Sequence, residues 1–343
     1  MIDWATVEIP LVHSPLNGGV VQSITSDGEI EWATPKRVSA RGSYEKTISV
    51  KSTGGTGEGM ATHLWISGNP SKFLQGHNVF GSDDLISLIY DTFIIIKKQF
   101  HLEPTVQEMA LIKKGAYDLK TVDINYSYSL PTQSDVKAYI RALEFKAKTR
   151  HGRPSTKGGT LYFGQKSSRW AIKFYSKADE ILKADRKLPI EIQSKGIEDW
   201  VQNKLRIELR LLSKELRKLD VVQAKDLTIT MATKLFNQYV RKIDMTQQIT
   251  LSDETIASLP NKLRSTYTLW KEGHDLIDMM SPATFRRHRS ELKSYGINID
   301  LHPQSTNQSN VVPLIRVLEA EPENIPDWAY KHNLVHLSAR SIA

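Results

Sequence analysis

The sequence predicts an α+β protein, with a largely antiparallel sheet over residues 1–220, a helical, winged-helix-like region over 221–300 and a tail over 301–343. Three observations carry this. KLRIELRLL, Lys204–Leu212, alternates strictly between apolar and charged residues, the period of a strand. GTLYFGQKSSRWAIKFYSKADE, Gly159–Glu180, reads as two strand-forming runs joined by a polar turn and running into a helix. From Ser213 onward the apolar spacing changes to that of helices.

At 343 residues the chain is long enough for about two domains with real cores. Hydrophobic residues make up 40% and charged residues 24%, the balance of a soluble globular protein. The formal net charge of +8, from 46 basic against 38 acidic residues, makes a polyanion the first partner to consider. There are no cysteines, which excludes disulfides, thiolate zinc sites and cysteine nucleophiles and agrees with a reducing cytoplasm. The most apolar run, Thr92–Ile96, is far short of the roughly 20 residues of a membrane span, so no membrane partner is expected.

In chain order, Val7–Val12, Glu29–Ala33, Tyr44–Val50 and Ala61–Ser67 are expected strands, and the glycine-rich Lys51–Gly59 a hairpin loop. It lacks the GxxxxGK[ST] spacing of a phosphate-binding loop. Ser82, Asp83 and Asp84 open a helix whose apolar residues include Leu85, Leu88, Ile89 and Phe93. His77 stands before it in a Gly-His-Asn turn, structural or a metal ligand. Leu119–Leu130 alternates again, with Asp123 in mid-strand, where aspartate is disfavoured and metal binding is one reason for it. Asp135–Lys148 reads as a helix, and the basic loop Lys148–Gly159 as either a phosphate-contacting segment or a solvated charge run.

In the hairpin, Trp170, Ile172 and Phe174 face a core, while Lys173, Tyr175 and Lys177 share the other side, a phenol in a positive field. Lys177–Lys187 reads as a charged helix. On Lys204–Leu212 the face bearing Arg206, Glu208 and Arg210, beside a strand bearing Asp123, makes either a polar floor or an ordinary solvent side. Ser213 is expected to cap a helix, Met231–Lys242 and Arg264–Ile277 to form two more, and Ser281 with Pro282 to open another. That helix exposes Arg286, Arg287, Arg289 and Lys293, ends at Gly296 and precedes a short strand, Ile297–Leu301, in the manner of a winged helix-turn-helix. His332 and His336 are spaced to share a helix face, but no third ligand accompanies them.

The chemistry that uses a tyrosine, carboxylates, a histidine and several basic residues together is attack of a phenol on a DNA phosphodiester, leaving a phosphotyrosine. Carboxylates and an imidazole would hold Mg²⁺ or Mn²⁺, and Lys173 or Lys177 would favour the phenolate.

Five strings, PSKFLQGHNVFG (Pro70–Gly81), VDIN (Val122–Asn125), FYSK (Phe174–Lys177), RIELR (Arg206–Arg210) and NVVPLIR (Asn310–Arg316), resemble the filamentous-phage gene-II replication initiators. These are phage and plasmid replication proteins of the II/X class, and the resemblance runs in order along residues 1–330. It implies a rolling-circle initiator endonuclease domain in residues 1–220 that nicks the plus strand of the double-stranded origin and later closes the displaced single strand. By the same resemblance Tyr175 is the nucleophile with Lys177 beside it, and Asp123, Glu208 and His77 are metal ligands. Lys173 is expected beside the phenol from the strand alternation, and Arg206, Arg210, Arg286, Arg287, Arg289 and Lys293 are expected at DNA from their basic strand and helix faces. The expected setting is the host bacterial cytoplasm, with a replication helicase and polymerase as partners. The sequence departs from many rolling-circle initiators in having no His-x-His, and VDIN has no arginine before its aspartate. A non-enzymatic DNA-binding regulator and, last, a tyrosine recombinase are the rival readings.

Overall fold

The computed structural model describes residues 1–16, 19–149, 154–183, 187–193, 195–245, 259–272, 274, 276–294, 299 and 321–338, with the backbone alone at 145–146, 148, 244–245 and 293–294. It is a mixed α+β structure built on a large antiparallel sheet. The strands are β1 (Ile2–His13), β2 (Val20–Ile24), β3 (Ile30–Pro35), β4 (Val38–Arg41), β5 (Thr47–Thr53), β6 (Ala61–Gly68), β7 (Asp118–Ser129), β8 (Ala147–Lys148), β9 (Ser155–Lys157), β10 (Thr160–Phe163), β11 (Trp170–Ser176), β12 (Lys204–Leu212) and β13 (Asp244–Met245). Among the described residues nine of them form one sheet in the order β4-β5-β6-β1-β7-β12-β11-β10-β9. β2 pairs only with β3, and β8 with β13.

The chain divides into two compact units, one of residues 1–137, 155–242 and 321–343, the other of 138–154 and 243–320. The first contains the large sheet. Its centre is fixed by two long alternating strands: β7 and β12 pair over nine consecutive positions, Lys204↔Ser129 to Leu212↔Thr121. Leu205, Ile207, Leu209 and Leu211 are fully buried on one face with Val122 and Ile124. The helix Ile229–Val240 supplies Phe236, whose ring meets Tyr126 edge-on at 4.7 Å, and Tyr239, which packs at 5.4 Å on Trp170. Glu321–Ser338 also belong to this unit, with Ala329 and Leu334 buried against Val79, Phe80, Ile197 and Val201.

Several local expectations need correction. Pro70–Gln75, Val106–Lys114, Ile190–Gln193 and Ile197–Val201 are helices with no counterpart in the expected elements. The second has a complete capping box between Thr105 and Glu108 and a left-handed Gly115 at its end, signals that are visible in the sequence. The charged helix after Tyr175 is short, Lys177–Ile181. Ser213 caps nothing; its hydroxyl donates to the Lys120 carbonyl at 2.7 Å. The helix near the C-terminus ends at Lys331, so His332 and His336 share no helix face; His336 instead pairs with Asp91 at 2.8 Å.

In the second unit the helices Asn261–Lys271, Leu276–Met279 and Pro282–Ser294 enclose a small core of Leu263, Tyr267, Leu276, Phe285 and Leu292. Ser281 begins the last of them as expected, its hydroxyl accepting from the Thr284 amide at 3.2 Å. His288 is the inward residue, sharing a 2.9 Å hydrogen bond with Thr266, while Arg286, Arg287 and Arg289 are exposed. The Lys293 side chain, Gly296, most of the expected strand at 297–301, the 310–316 string and residues 150–153 of the basic loop lie outside the described residues.

Candidate active site

Register places the charged residues of three strands on one face. Arg210 stands opposite Asp123, and Glu208 opposite Asn125 on β7 and Lys173 on β11. Tyr175 stands opposite Arg206. Directly opposed residues of antiparallel strands project to the same side, so the alternation seen in sequence becomes a single cluster. This face is covered rather than solvated: Asp123 is 1% exposed, Glu208 4% and Tyr175 7%. The cover comes from the turn after Pro70–Gln75, where Gly76 is left-handed (φ 84°) and lets the chain fold His77 and Asn78 inward, and from Lys177–Ile181.

Within the cluster Asp123, Glu180 and Glu208 each meet a cation, and Asp3 is held by amides. The Arg210 guanidinium grips Asp123 with Nε at 2.8 Å from Oδ1 and a terminal nitrogen at 2.6 Å from Oδ2. Lys173 donates to Glu208 and lies 3.9 Å from Asp123. The Tyr175 hydroxyl donates to Glu208 Oε2 at 3.4 Å. Lys177, fully buried, donates to Glu180 and, at 2.9 Å, to Asn78 Oδ1. Asp3 accepts from Asn78 at 2.8 Å and from Asn69 at 2.9 Å. Three carboxylates, Asp123, Glu180 and Glu208, pair with Arg210, Lys177 and Lys173, while Asp3 is satisfied by asparagine amides and Arg206 by an amide oxygen and two carbonyls, so the buried charges are compensated. Asp3, Asn78 and Glu180 were not singled out in the sequence. Glu180 had a visible signal, its position three residues after Lys177.

Burial sets the titration of the site. It raises the Tyr175 phenol well above 10, with Glu208 and Glu180 adding to the effect. The expected phenol in a positive field is therefore wrong for this state, because both neighbouring lysines are engaged by carboxylates. Glu208 is raised by burial and then by Asp123. Burial opposes the charge of Lys173, but Glu208 and Asp123 outweigh it and raise its pKa; Lys177 is lowered, chiefly by burial.

The hard oxygens of Asp123 and Glu208 suit Mg²⁺ or Mn²⁺ by chemistry. His77 does not fit with them. Its Nδ1 accepts from the Val79 amide at 3.2 Å, which leaves the ring proton on Nε2. Burial lowers its pKa to about 4, which keeps the ring neutral. Among the described residues no three His, Asp or Glu side chains form a metal-holding group. Arg206, expected at DNA, is fully buried and offers it no surface; it donates to Asn125 Oδ1 at 2.7 Å, to the Val79 carbonyl at 2.8 Å and to the Asn78 carbonyl at 3.2 Å. Arg210 and Lys173 form the accessible rim, their side chains 37% and 19% exposed.

The class defined here is a mixed α+β protein with a phenol, carboxylates and cations gathered on the buried face of an antiparallel sheet. Residues 1–237 match the N-terminal family of the phage gene-II replication-associated proteins, and residues 251–335 match the C-terminal family of the same proteins. The replication-associated gene-II protein of Enterobacteria phage I2-2 is 44% identical over 342 residues, 99% of each chain. The chain belongs to this family of replication-associated proteins, the filamentous-phage gene-II class. No described helix is long and apolar enough to cross a membrane.

Proposed function

We propose that the chain is a rolling-circle replication initiator that nicks the plus strand at its double-stranded origin through a 5′-phosphotyrosine on Tyr175. The observation that carries this is the 3.4 Å approach of the Tyr175 hydroxyl to Glu208, on a face whose accessible rim is Arg210 and Lys173. Tyr175 Oη attacks the phosphorus while its proton passes to Glu208, whose raised pKa makes it a better base than an ordinary carboxylate. The bond from phosphorus to the 3′ oxygen breaks, and that oxygen takes a proton from solvent and leaves as a hydroxyl. Closure reverses the step: a 3′-hydroxyl of the displaced strand attacks the phosphotyrosine and returns the phenol. Lys173 and Arg210 are suited to hold the phosphate oxygens, and Lys177 fixes the start of the helix after Tyr175. We assign Mg²⁺ or Mn²⁺ to Asp123 and the Oε1 of Glu208, which leaves Oε2 to face Tyr175; bound there, it would polarise the phosphate.

Membership of the gene-II family supports the replication role, and the origin duplex, the displaced strand, the host helicase and the polymerase are the partners it calls for. The exposed Arg286, Arg287 and Arg289 on a helix that follows two others support a helix-turn-helix-like duplex contact, in the cytoplasm of the host.

The test is a nicking assay on supercoiled DNA carrying the cognate origin, with wild type and Tyr175→Phe, in Mg²⁺, Mn²⁺ or EDTA. A nick with protein attached at the 5′ end, lost in the variant, is expected. Full activity in the variant discards Tyr175, and origin binding without a nick under any condition favours the regulator instead.

A further inference from the structure

Phe80 links the polar face to a second feature of the same unit. Its ring meets His77 edge-on at 5.8 Å, and it also meets Trp200 at 5.0 Å and Trp328 at 5.7 Å. The two tryptophans, both partly exposed, line an open groove of about 650 Å³ with Lys195, Gly196, Asp199 and His332. The volume is in the range of small-molecule sites, ample for one heterocyclic ring. Lys204 Nζ sits 4.8 Å over the Trp200 ring. Lys204 lies two residues before Arg206 on β12 and shares its face, so one strand face leads from Glu208 past Arg206 to the groove. Gly196 is left-handed (φ 83°), and having no Cβ it leaves the Trp328 ring edge uncovered; an added Cβ would stand 3.8 Å from it.

Indole rings with the Lys195 ammonium at the rim suit a flat ring carried on a polyanion. A duplex hides its base faces; an unpaired strand presents them. We propose that the groove between Trp200 and Trp328 seats an unpaired base of single-stranded DNA that runs to or from the Tyr175 face, an inference that rests on the proposed function for the choice of DNA. Lys195 serves an adjoining phosphate, while the buried Lys204, held by Ser129 and Asn203, braces the Trp200 ring from beneath. Asp199, the acidic member of the lining, accepts from an exocyclic amino group, which favours adenine, cytosine or guanine over thymine.

The test uses the full chain carrying Tyr175→Phe, so that nicking plays no part. A mixed-sequence single-stranded oligonucleotide containing 5-iododeoxycytidine, which keeps the exocyclic amino group, is photo-crosslinked, and the modified peptides are mapped. Crosslinks at Trp200 or Trp328 are expected; crosslinks confined to other segments overturn the groove. Trp328→Ala should weaken single-strand binding roughly 5-fold or more, the loss seen when a stacking aromatic is removed, with origin-duplex binding unchanged. Lys195→Gln, which removes a rim charge and the 3.3 Å hydrogen bond from its Nζ to the His332 carbonyl, should weaken it less and lower its salt dependence. Unchanged single-strand affinity in Lys195→Gln and in a folded Trp328→Ala also overturns the proposal, and if Trp328→Ala does not fold, the crosslink map and Lys195→Gln decide. A chain that binds neither single-stranded nor origin duplex DNA fails the proposed function as a whole, whereas binding with crosslinks elsewhere fails the groove alone.

Discussion

Arginines occupy the two units of this chain in opposite states. On β12 Arg206 is fully buried and spends its hydrogen bonds on Asn125, Asn78 and Val79. On Pro282–Ser294 Arg286, Arg287 and Arg289 stand in solvent. In sequence both sets look alike, cations on the second face of an amphipathic element. The outcome depends on what covers that face. A central strand has neighbours on both edges and layers above and below, so its polar face closes once a turn such as Gly76–Asn78 folds over it. A helix on a small core buries one stripe and leaves the rest wet. The lesson is that an arginine on a central strand is first a structural claim, and one on an outer helix face is first a binding claim.

The largest expected effect follows from that. Arg206→Met removes the guanidinium while leaving Asn125 Oδ1 and two buried carbonyls without their donor and the site's carboxylates in excess. A loss of about 3–5 kcal/mol is expected, read as a lower urea midpoint. A loss below about 1 kcal/mol would break the comparison, since it would class Arg206 with surface residues. Next is His77. Its pKa is about 4 in the fold against 6.5 unperturbed, because burial disfavours the imidazolium. With the folded value lowered, the unfolded chain binds the extra proton, so stability is fully present above pH 6.5 and is lost as pH falls toward 4. Over that window the loss is about 3 kcal/mol, from about 1.4 kcal/mol per unit of pKa difference. Urea titrations at stepped pH should show it, and His77→Gln should flatten that part of the profile. A wild-type profile flat from pH 7 to 4 sinks the claim.

Much of this was legible in the sequence, for physical reasons that differ by residue. The strands β7, β11 and β12 follow from period-two alternation, and so does the sharing of one face by Asp123, Glu208 and Tyr175, since pairing carries local pattern across the sheet. The state of that face was not legible. Whether Lys177 helps a phenolate or is tied to Glu180 and Asn78 depends on a turn 99 residues away, and no periodicity encodes such a contact. The exclusion of His77 from the carboxylates rests likewise on a backbone amide, that of Val79, which composition cannot reveal. The i, i+4 spacing of His332 and His336 carries no site, for want of a third ligand in the sequence and because the helix ends at Lys331.

In the second unit the expected effects are smaller. Ser281→Ala removes the hydroxyl that accepts from the Thr284 amide, and should cost about 1 kcal/mol, seen as faster amide exchange in the first turn of Pro282–Ser294. Replacing Arg286 and Arg287 together by glutamine should change stability least of all, within about 0.5 kcal/mol, since both are exposed and the inner stripe of Phe285, His288 and Leu292 is untouched. If these two side chains neutralise phosphates of the origin duplex, its affinity should fall while the slope of log affinity against log salt becomes shallower by about 0.9 for each phosphate no longer neutralised. That pairing of outcomes sharpens the comparison, because Arg206→Met should lower stability, and a folded remnant of it should keep the wild-type salt slope. Equal stability losses in the two variants would erase the distinction. An unchanged salt slope in the glutamine pair would leave these arginines exposed but idle, and would move the duplex contact to another surface of the chain.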